Sequence, residues 1–139
     1  MTKFVKDSNK KVIYGNDGLS QKKGLDSSEN VIKLMEREYP VMMGEFRKIQ
    51  EEQYELFATK QFDYGSGNIS MGTDLNSEAD VKLSLTALVV RVNDKVNRLV
   101  NLIIKRNSEG QAEPTMDAFK DISVYGIIAQ IVKNGKWGK

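Results

Sequence analysis

Four side chains able to carry chemistry recur every four residues near the end of the chain: Glu113, Asp117, Asp121 and Tyr125. Each residue of an α-helix turns by about 100°, so a step of four residues advances only about 40° around the axis. The four side chains therefore project from one side of a helix. Carboxylates in this arrangement can hold a magnesium ion that also binds a phosphate, so we predict Asp117 and Asp121 as metal ligands.

A charged stripe of similar spacing comes earlier in the chain and consists of Arg91, Asp94, Lys95 and Arg98. Two antiparallel helices that carry these stripes would face each other, cations against carboxylates. The cations could then bind a ligand phosphate, with Asp94 as a further candidate ligand of the metal. The other interpretation is structural. Acidic residues would stabilise a helix N-terminus by about 0.3–1 kcal/mol, and the remaining charges would form ion pairs or a solvated face.

The segment from Lys60 to Asn68 joins a cation, two aromatic rings, a carboxylate and two glycines at the predicted end of a helix. Such a place can stack a nucleotide base and approach a phosphate, which makes Lys60, Asp63 and Tyr64 candidate ligand-binding residues. Either Tyr64 or Tyr125 would stack on the base. The alternative is a helix C-cap followed by a polar turn, because the glycines do not match the spacing of a phosphate-binding loop.

The 139-residue chain contains no cysteine and no histidine. This excludes thiolate catalysis, zinc sites built on thiolates or imidazoles, Ser-His-Asp triads and disulfides. Any metal must be a hard cation held by oxygens, and magnesium is the natural choice beside phosphates. The formal net charge of +2 is too small for a typical nucleic-acid-binding domain.

The length fits a single domain, and the apolar periodicity after Ser27 is helical. We predict an all-α fold, a compact bundle of about four helices over residues 28–38, 41–62, 77–106 and 114–133. Pro40 separates the first two helices because the residue before a proline avoids the α region. Residues 1–27 are polar with two short alternating runs, so we predict an N-terminal arm or short β-hairpin outside a helical domain over residues 28–139.

Three motifs, taken in order, resemble the nucleotide-modification-associated domain family, first type. They are Lys60 to Gly65, Arg91 to Leu99, and Glu113-(x)3-Asp117-(x)3-Asp121-(x)3-Tyr125. The resemblance covers about residues 41–133 and implies an all-helical domain, frequent in bacteriophages and encoded beside enzymes that make or process unusual nucleotides. No established catalytic mechanism comes with it. The chain departs from the family pattern at Val124, where Asn is expected, and at Gly126, where Ala is usual.

A second, more distant similarity involves the run Glu51-Glu52-Gln53-Tyr54-Glu55. It is similar to the first half of the metal motif in the all-α MazG-like nucleoside triphosphate pyrophosphohydrolases. The second half, Glu-x-x-Asp at a modest distance downstream, is missing. Ordinary ion pairs between residues four apart on an exposed helix face explain the same carboxylates.

These features leave the function open between two main classes. The first is a magnesium-dependent enzyme that acts on a nucleoside phosphate, in nucleotide metabolism or DNA base modification. The second is a non-catalytic nucleotide binder, such as a sponge that sequesters a nucleotide signal of host defence. A third class is a protein that assembles with partners through its Met- and Phe-rich faces.

We also expect a homo-oligomer, most simply a dimer, because Met42, Met43 and Leu56 find few apolar partners within one chain of four helices. No apolar run reaches the roughly 18 residues of a membrane span, and the first ten residues carry charges where a signal peptide has its apolar core. We therefore expect no membrane partner and a cytoplasmic location, which is the host cytoplasm if a phage encodes the chain.

Overall fold

The computed structural model describes residues 28–139, with side chains from Val31 onward. Within this range the chain is helical and contains no strand, which confirms the predicted all-α class. The arm or hairpin predicted over residues 1–27 lies outside the described residues. The chain divides into two compact units, Met1–Pro40 and Val41–Lys139, and the second unit contains all the predicted site residues.

Six helical segments follow one another in the described part of the chain. They are α1 (Ser28–Glu38), α2 (Pro40–Tyr64), the one-turn α3 (Gly67–Ser70), α4 (Glu78–Leu99), a π-helical segment (Val100–Lys105) and α5 (Thr115–Lys133). The four predicted helices correspond to α1, to α2, to α4 with the π-helical segment, and to α5, and each boundary agrees within two residues. Only α3 was not predicted, because it is a single turn inside a polar loop.

The helix ends follow from local chemistry. The Ser77 hydroxyl accepts a hydrogen bond from the Asp80 backbone N–H at 3.1 Å and so caps the start of α4. At the end of α2, Gly65 adopts a left-handed conformation with φ of 65°, and its N–H donates to the Gln61 carbonyl. These two residues explain why the long helices begin and end where the sequence predicts.

A small apolar core holds α3, α4 and α5 together. Its buried members are Ile69, Leu88, Ile128, Val132 and Trp137. The Ser84 hydroxyl on α4 donates to the Ile69 carbonyl at 2.6 Å and fixes α3 against α4. Trp137 packs edge-on against Phe57 of α2, with ring centroids 6.1 Å apart, and its indole N–H donates to the Ser66 carbonyl. The second half of α2 is thereby attached to the core.

The first half of α2 has a different environment. None of the α2 side chains is fully buried, and Val41, Met42, Phe46 and Ile49 are all exposed. After Leu99 the helix continues as the π-helical segment, whose wider turns rotate the residues that follow around the axis. Ile103 and Ile104 in this segment are exposed. None of the described helices combines the length and the apolar content needed to cross a membrane.

Candidate functional site

Side chains from four helices surround one cavity of about 360 Å³ in the unit Val41–Lys139. Its walls come from the second half of α2, from α3, from one position on α4 and from the middle of α5. Five of the predicted site residues line it: Lys60, Tyr64, Arg91, Asp121 and Tyr125. Apolar side chains complete the lining, namely Leu56, Phe57, Ile69, Val124 and Ile128. The structure thus brings together predicted site residues that lie up to 65 positions apart in the chain.

Asp121 is the centre of the ion pairs at this cavity. Its Oδ2 atom lies 2.7 Å from Nζ of Lys95, and its Oδ1 atom lies 4.0 Å from Nζ of Lys60. The hydrogen bond to Asp121 raises the pKa of Lys95 above its ordinary value, while partial burial of the ammonium acts in the opposite direction. Lys95 is therefore a charged partner of Asp121, whereas the longer contact leaves the Lys60 ammonium with donors for a ligand.

Arg91 joins the cavity wall to α3. One guanidinium nitrogen, Nη2, donates to the Asn68 backbone carbonyl at 3.1 Å in a half-buried environment. A guanidinium has five N–H donors, so this bond leaves others that can bind an anion in the cavity. Arg91 consequently combines a structural bond to the main chain with a positive charge at the cavity.

Two tyrosines border the apolar part of the cavity. Tyr64 is exposed at the end of α2, and Tyr125 is half-buried on α5 against the core. The aliphatic side chains of Val124 and Ile128 line the same cavity. Flat apolar surfaces with a polar hydroxyl at one end suit the stacking of an aromatic base.

Four polar residues of the lining were not predicted as site residues: Gln53, Gln61, Asn68 and Lys120. The Gln53 amide donates to the Ser123 hydroxyl at 2.7 Å, which ties α2 to α5. The amide oxygens of Gln61 and Asn68 are buried and have no hydrogen-bond partner among the described residues. Both amides belong to the segment Lys60–Asn68 that the sequence singled out, but glutamine and asparagine are so common on helix surfaces that their types carried no signal.

Five other predicted residues lie outside the lining of the cavity: Asp63, Asp94, Lys95, Arg98 and Asp117. Asp63 and Asp94 are exposed, on α2 and α4 respectively. Asp117 is half-buried near the start of α5, one turn before Asp121. Arg98 lies two turns beyond Arg91 on α4 and has a different set of partners. Only part of each charged stripe therefore lines the cavity, namely Arg91 on α4 and Asp121 with Tyr125 on α5.

Arg98 holds the loop that precedes α5. Its guanidinium donates to the Pro114 carbonyl at 3.2 Å and to the Glu113 carbonyl. The same loop passes so close to Arg98 that a Cβ atom added at Gly110 would meet both the Glu113 carbonyl oxygen and the guanidinium. Position 110 therefore requires glycine, and Arg98 acts in this structure as a clamp on the main chain.

The loop also supplies the cap of α5. The Glu109 carboxylate accepts hydrogen bonds of 2.7 Å from the Thr115 backbone N–H and from its hydroxyl. These bonds, with the backbone N–H contributing most and the charge of Arg98 adding to them, lower the pKa of Glu109 below its ordinary value. Pro114 occupies the position just before the helix, where the sequence predicted the first helical residue.

The carboxylates predicted to hold magnesium are divided between two environments. Asp121 faces two ammonium groups, and Asp117 is outside the cavity lining. Among residues 28–139 there is no group of three or more acidic side chains placed to hold a metal ion. As they are placed, these residues fit an ion-pair network better than a magnesium site, because a cation at Asp121 would have to displace Lys95. Magnesium binding stays a prediction.

The acidic run of α2, from Glu51 to Glu55, has a different environment. Glu51, Glu52 and Glu55 are exposed, and Glu52 pairs with Lys48 one turn away at 3.7 Å. A wider groove of about 570 Å³ runs along the first half of α4, between Leu75 and Val89, but it is lined by none of the predicted site residues. The cavity around Asp121 is smaller and more enclosed, and it has the higher density of charged and amide groups.

No family model, curated protein or solved structure matches the chain. The resemblance of its three motifs to the nucleotide-modification-associated domain therefore stays a prediction. The chemistry of the cavity has to be argued from its own residues.

Proposed function

We propose that the cavity around Asp121 binds a nucleotide or a similar phosphate compound without catalysing its conversion. The observation that carries this proposal is the composition of the lining. Three cationic side chains, from Lys60, Arg91 and Lys120, share the wall with a single carboxylate, that of Asp121. A concave site with excess positive charge and an apolar side favours a ligand that has an anionic group at one end and a ring at the other.

The division of the wall suggests how such a ligand would lie. Its phosphate would bind Lys60 and Arg91, and its base would lie on the apolar side between Tyr64 and Tyr125. Ligand cavities in proteins usually range from roughly 300 to 1,000 Å³. At about 360 Å³ this cavity is close to the lower limit, so a mononucleotide fits better than a dinucleotide.

The arrangement around Asp121 favours binding over turnover. A general base acts by accepting the proton that it removes, whereas Oδ2 of Asp121 already accepts a hydrogen bond from the Lys95 ammonium at 2.7 Å. Beside Asp121, the acid–base groups in the lining of the cavity are tyrosine hydroxyls and lysines. We therefore place the protein among nucleotide binders of nucleotide metabolism or DNA base modification. A sponge that sequesters a nucleotide signal of host defence is one form of that function.

The test uses the full chain, purified and incubated with pools of linear and cyclic nucleotides, with and without magnesium. After desalting, mass spectrometry identifies both what is retained and what has been converted. We expect an intact nucleotide to be retained in the absence of magnesium, and retention to fall in Lys60→Ala but not in Lys105→Ala, a matched change of an exposed lysine outside the cavity. Magnesium-dependent products would show instead that the protein is an enzyme. Neither retention nor conversion would contradict the proposal.

We also propose that a second copy of the chain covers the first half of α2. Val41 and Phe46 are 84% and 61% exposed, and a long helix without buried side chains has little tertiary support in a monomer. The charges beside this face are self-complementary. Arg47 and Lys48 precede Ile49 and two glutamates follow it, so an antiparallel second copy would place each pair opposite the other.

Light scattering over a range of concentrations tests this association. We expect the dimer mass for the unchanged chain and the monomer mass for Phe46→Glu, because a buried carboxylate at the centre of the interface is unfavourable. Phe62→Glu is the matched control, since Phe62 is 90% exposed at the far end of the same helix. A monomer mass for the unchanged chain at high micromolar concentration would refute the proposal.

A further inference from the structure

The carboxylate of Asp121 has room for a further hydrogen bond at the surface of the cavity. An ionised carboxylate has about four lone-pair sites on its two oxygens, and it accepts hydrogen bonds without donating any. Oδ2 accepts from the ammonium of Lys95, which lies outside the lining. Oδ1 lies 4.0 Å from the Lys60 ammonium, which is beyond hydrogen-bond distance. The Asp121 side chain is 26% exposed and lines the cavity, so a bound molecule can reach it.

An acceptor of this kind requires a donor in the ligand. In a nucleotide the donors are a protonated phosphate, the sugar hydroxyls and the N–H groups of the base. The phosphate is a poor donor, because the second pKa of a phosphate monoester is about 6 and little of its proton remains above pH 7. A phosphate dianion would also be repelled by the carboxylate. The donors left to consider belong to the sugar and the base.

The position of Asp121 favours the sugar. Tyr125 follows Asp121 by one turn on α5, and Tyr64 follows Lys60 by one turn on α2. Side chains one turn apart on a helix are separated by about 5–6 Å. Each helix therefore places a charged group one turn before a ring proposed to hold the base. In a nucleotide the sugar links the phosphate to the base, so a carboxylate beside the phosphate-binding lysine and one turn before the rings faces the sugar.

We propose that Asp121 accepts a hydrogen bond from a sugar hydroxyl of the bound nucleotide and thereby determines which sugars the cavity takes. The ligand class is then a mononucleotide with a free 2′- or 3′-hydroxyl. Carboxylates bind ribose hydroxyls in dinucleotide-binding domains by the same chemistry. This inference rests on the proposed nucleotide site and adds the selection of the sugar to it.

The test measures the affinity of the full chain for AMP and for 2′,3′-dideoxy-AMP by calorimetry at pH 8. The two ligands share the base and the phosphate, and at this pH the phosphate has almost no proton to donate. We expect AMP to bind at least about tenfold more tightly, which is the scale of one hydrogen bond to a charged group. The affinities of 2′-deoxy-AMP and 3′-deoxy-AMP then identify the hydroxyl that is bound.

Three variants separate the acceptor from the ion pair. Asp121→Ala removes the acceptor, so the ratio of the two affinities should fall to within about twofold of one. Lys95→Met is the matched control, because it breaks the same ion pair but keeps the carboxylate, and it should preserve the ratio. Asp121→Asn keeps the size of the side chain and should give an intermediate ratio, since a neutral acceptor forms a weaker hydrogen bond. Thermal melting checks that each variant is folded at the temperature of the titration.

The outcomes distinguish this inference from the function on which it rests. Equal affinity of the unchanged chain for AMP and the dideoxy analogue would overturn the role of Asp121 while the nucleotide site stands. A ratio that persists in Asp121→Ala, or one that falls equally in Lys95→Met, would overturn it as well. In the first case another group binds the hydroxyl, and in the second the ion pair only shapes the cavity. Binding of neither nucleotide would overturn both proposals.

Discussion

Arg91 and Arg98 lie two helical turns apart on one side of α4, and the sequence assigns them the same role. Each donates to the main chain, Arg91 to Asn68 and Arg98 to the loop residues Glu113 and Pro114. Their surroundings differ. Arg91 faces a cavity lined by two tyrosines and by amide side chains, whereas Arg98 faces a loop whose carbonyls accept its hydrogen bonds.

This difference shows what a stripe of charges can and cannot specify. Spacing of three and four residues places side chains on one side of a helix, but the elements that pack there decide what each side chain meets. At Arg91 those elements are α2 and α3, which belong to the core. At Arg98 there is only an irregular loop. The same residue type therefore serves a candidate binding site at one end and the fold at the other.

The largest expected effect is the loss of stability when the core residue Trp137 is replaced. Trp137→Ala should lower the free energy of unfolding by about 3–5 kcal/mol, because it removes a buried ring that packs on Phe57. Urea denaturation measures this change. Trp137→Phe is the control that keeps an aromatic ring and loses the bond to Ser66, at a cost of about 1 kcal/mol. A loss below 1 kcal/mol for the alanine variant would show that α2 does not depend on this contact.

A smaller effect is expected at the loop end. Arg98→Ala should lower the free energy of unfolding by about 1.5 kcal/mol, the lower limit for hydrogen bonds of a charged donor, since the guanidinium is partly exposed. The control is Arg106→Ala, an exposed arginine just after the π-helical segment. If both variants unfold like the unchanged chain, Arg98 is not a clamp and the comparison with Arg91 fails.

The smallest effect is the pH dependence that Glu109 adds at the loop end. Its pKa is lower in the folded chain than in the unfolded one, so its contribution to stability is present above about pH 5 and disappears as the pH falls through the folded value. We expect Glu109→Gln to be less stable than the unchanged chain at neutral pH and equally stable in strong acid. Thermal melts of both proteins across this pH range measure the effect. A difference in melting temperature that is largest in acid would contradict the capping role of Glu109.

Much of the fold could be predicted from local signals. Pro40 was predicted to separate two helices and stands at the start of α2, and Gly65 and Ser77 stand at helix ends by chemistry that acts within one turn. The single turn of α3 could not be predicted, because it depends on a bond to another element, and the π-helical segment was predicted only as part of one continuous helix. For α3 the deciding contact is the hydroxyl of Ser84, fifteen residues after the carbonyl that it binds.

The candidate site was predictable only where it consists of charged or aromatic side chains. Lys60, Tyr64 and Asp121 stand out by type and spacing, and the cavity contains all three. Gln61 and Asn68 do not stand out, since an unpaired amide is a property of the surroundings and not of the residue. The loop carbonyls that bind Arg98 have no sequence signature at all, because every residue has one.

The central claim is that the part of α4 around Arg91, which borders the cavity, belongs to the nucleotide site. The part around Arg98, which borders the loop, does not. The most direct test is calorimetric titration of AMP into the unchanged chain, Lys60→Ala and Arg98→Ala, all at the same salt concentration. We predict that Lys60→Ala weakens binding by about tenfold or more, the scale of a charge-assisted hydrogen bond, and that Arg98→Ala stays within about twofold of the unchanged chain. Loss of affinity in Arg98→Ala with none in Lys60→Ala would contradict the account.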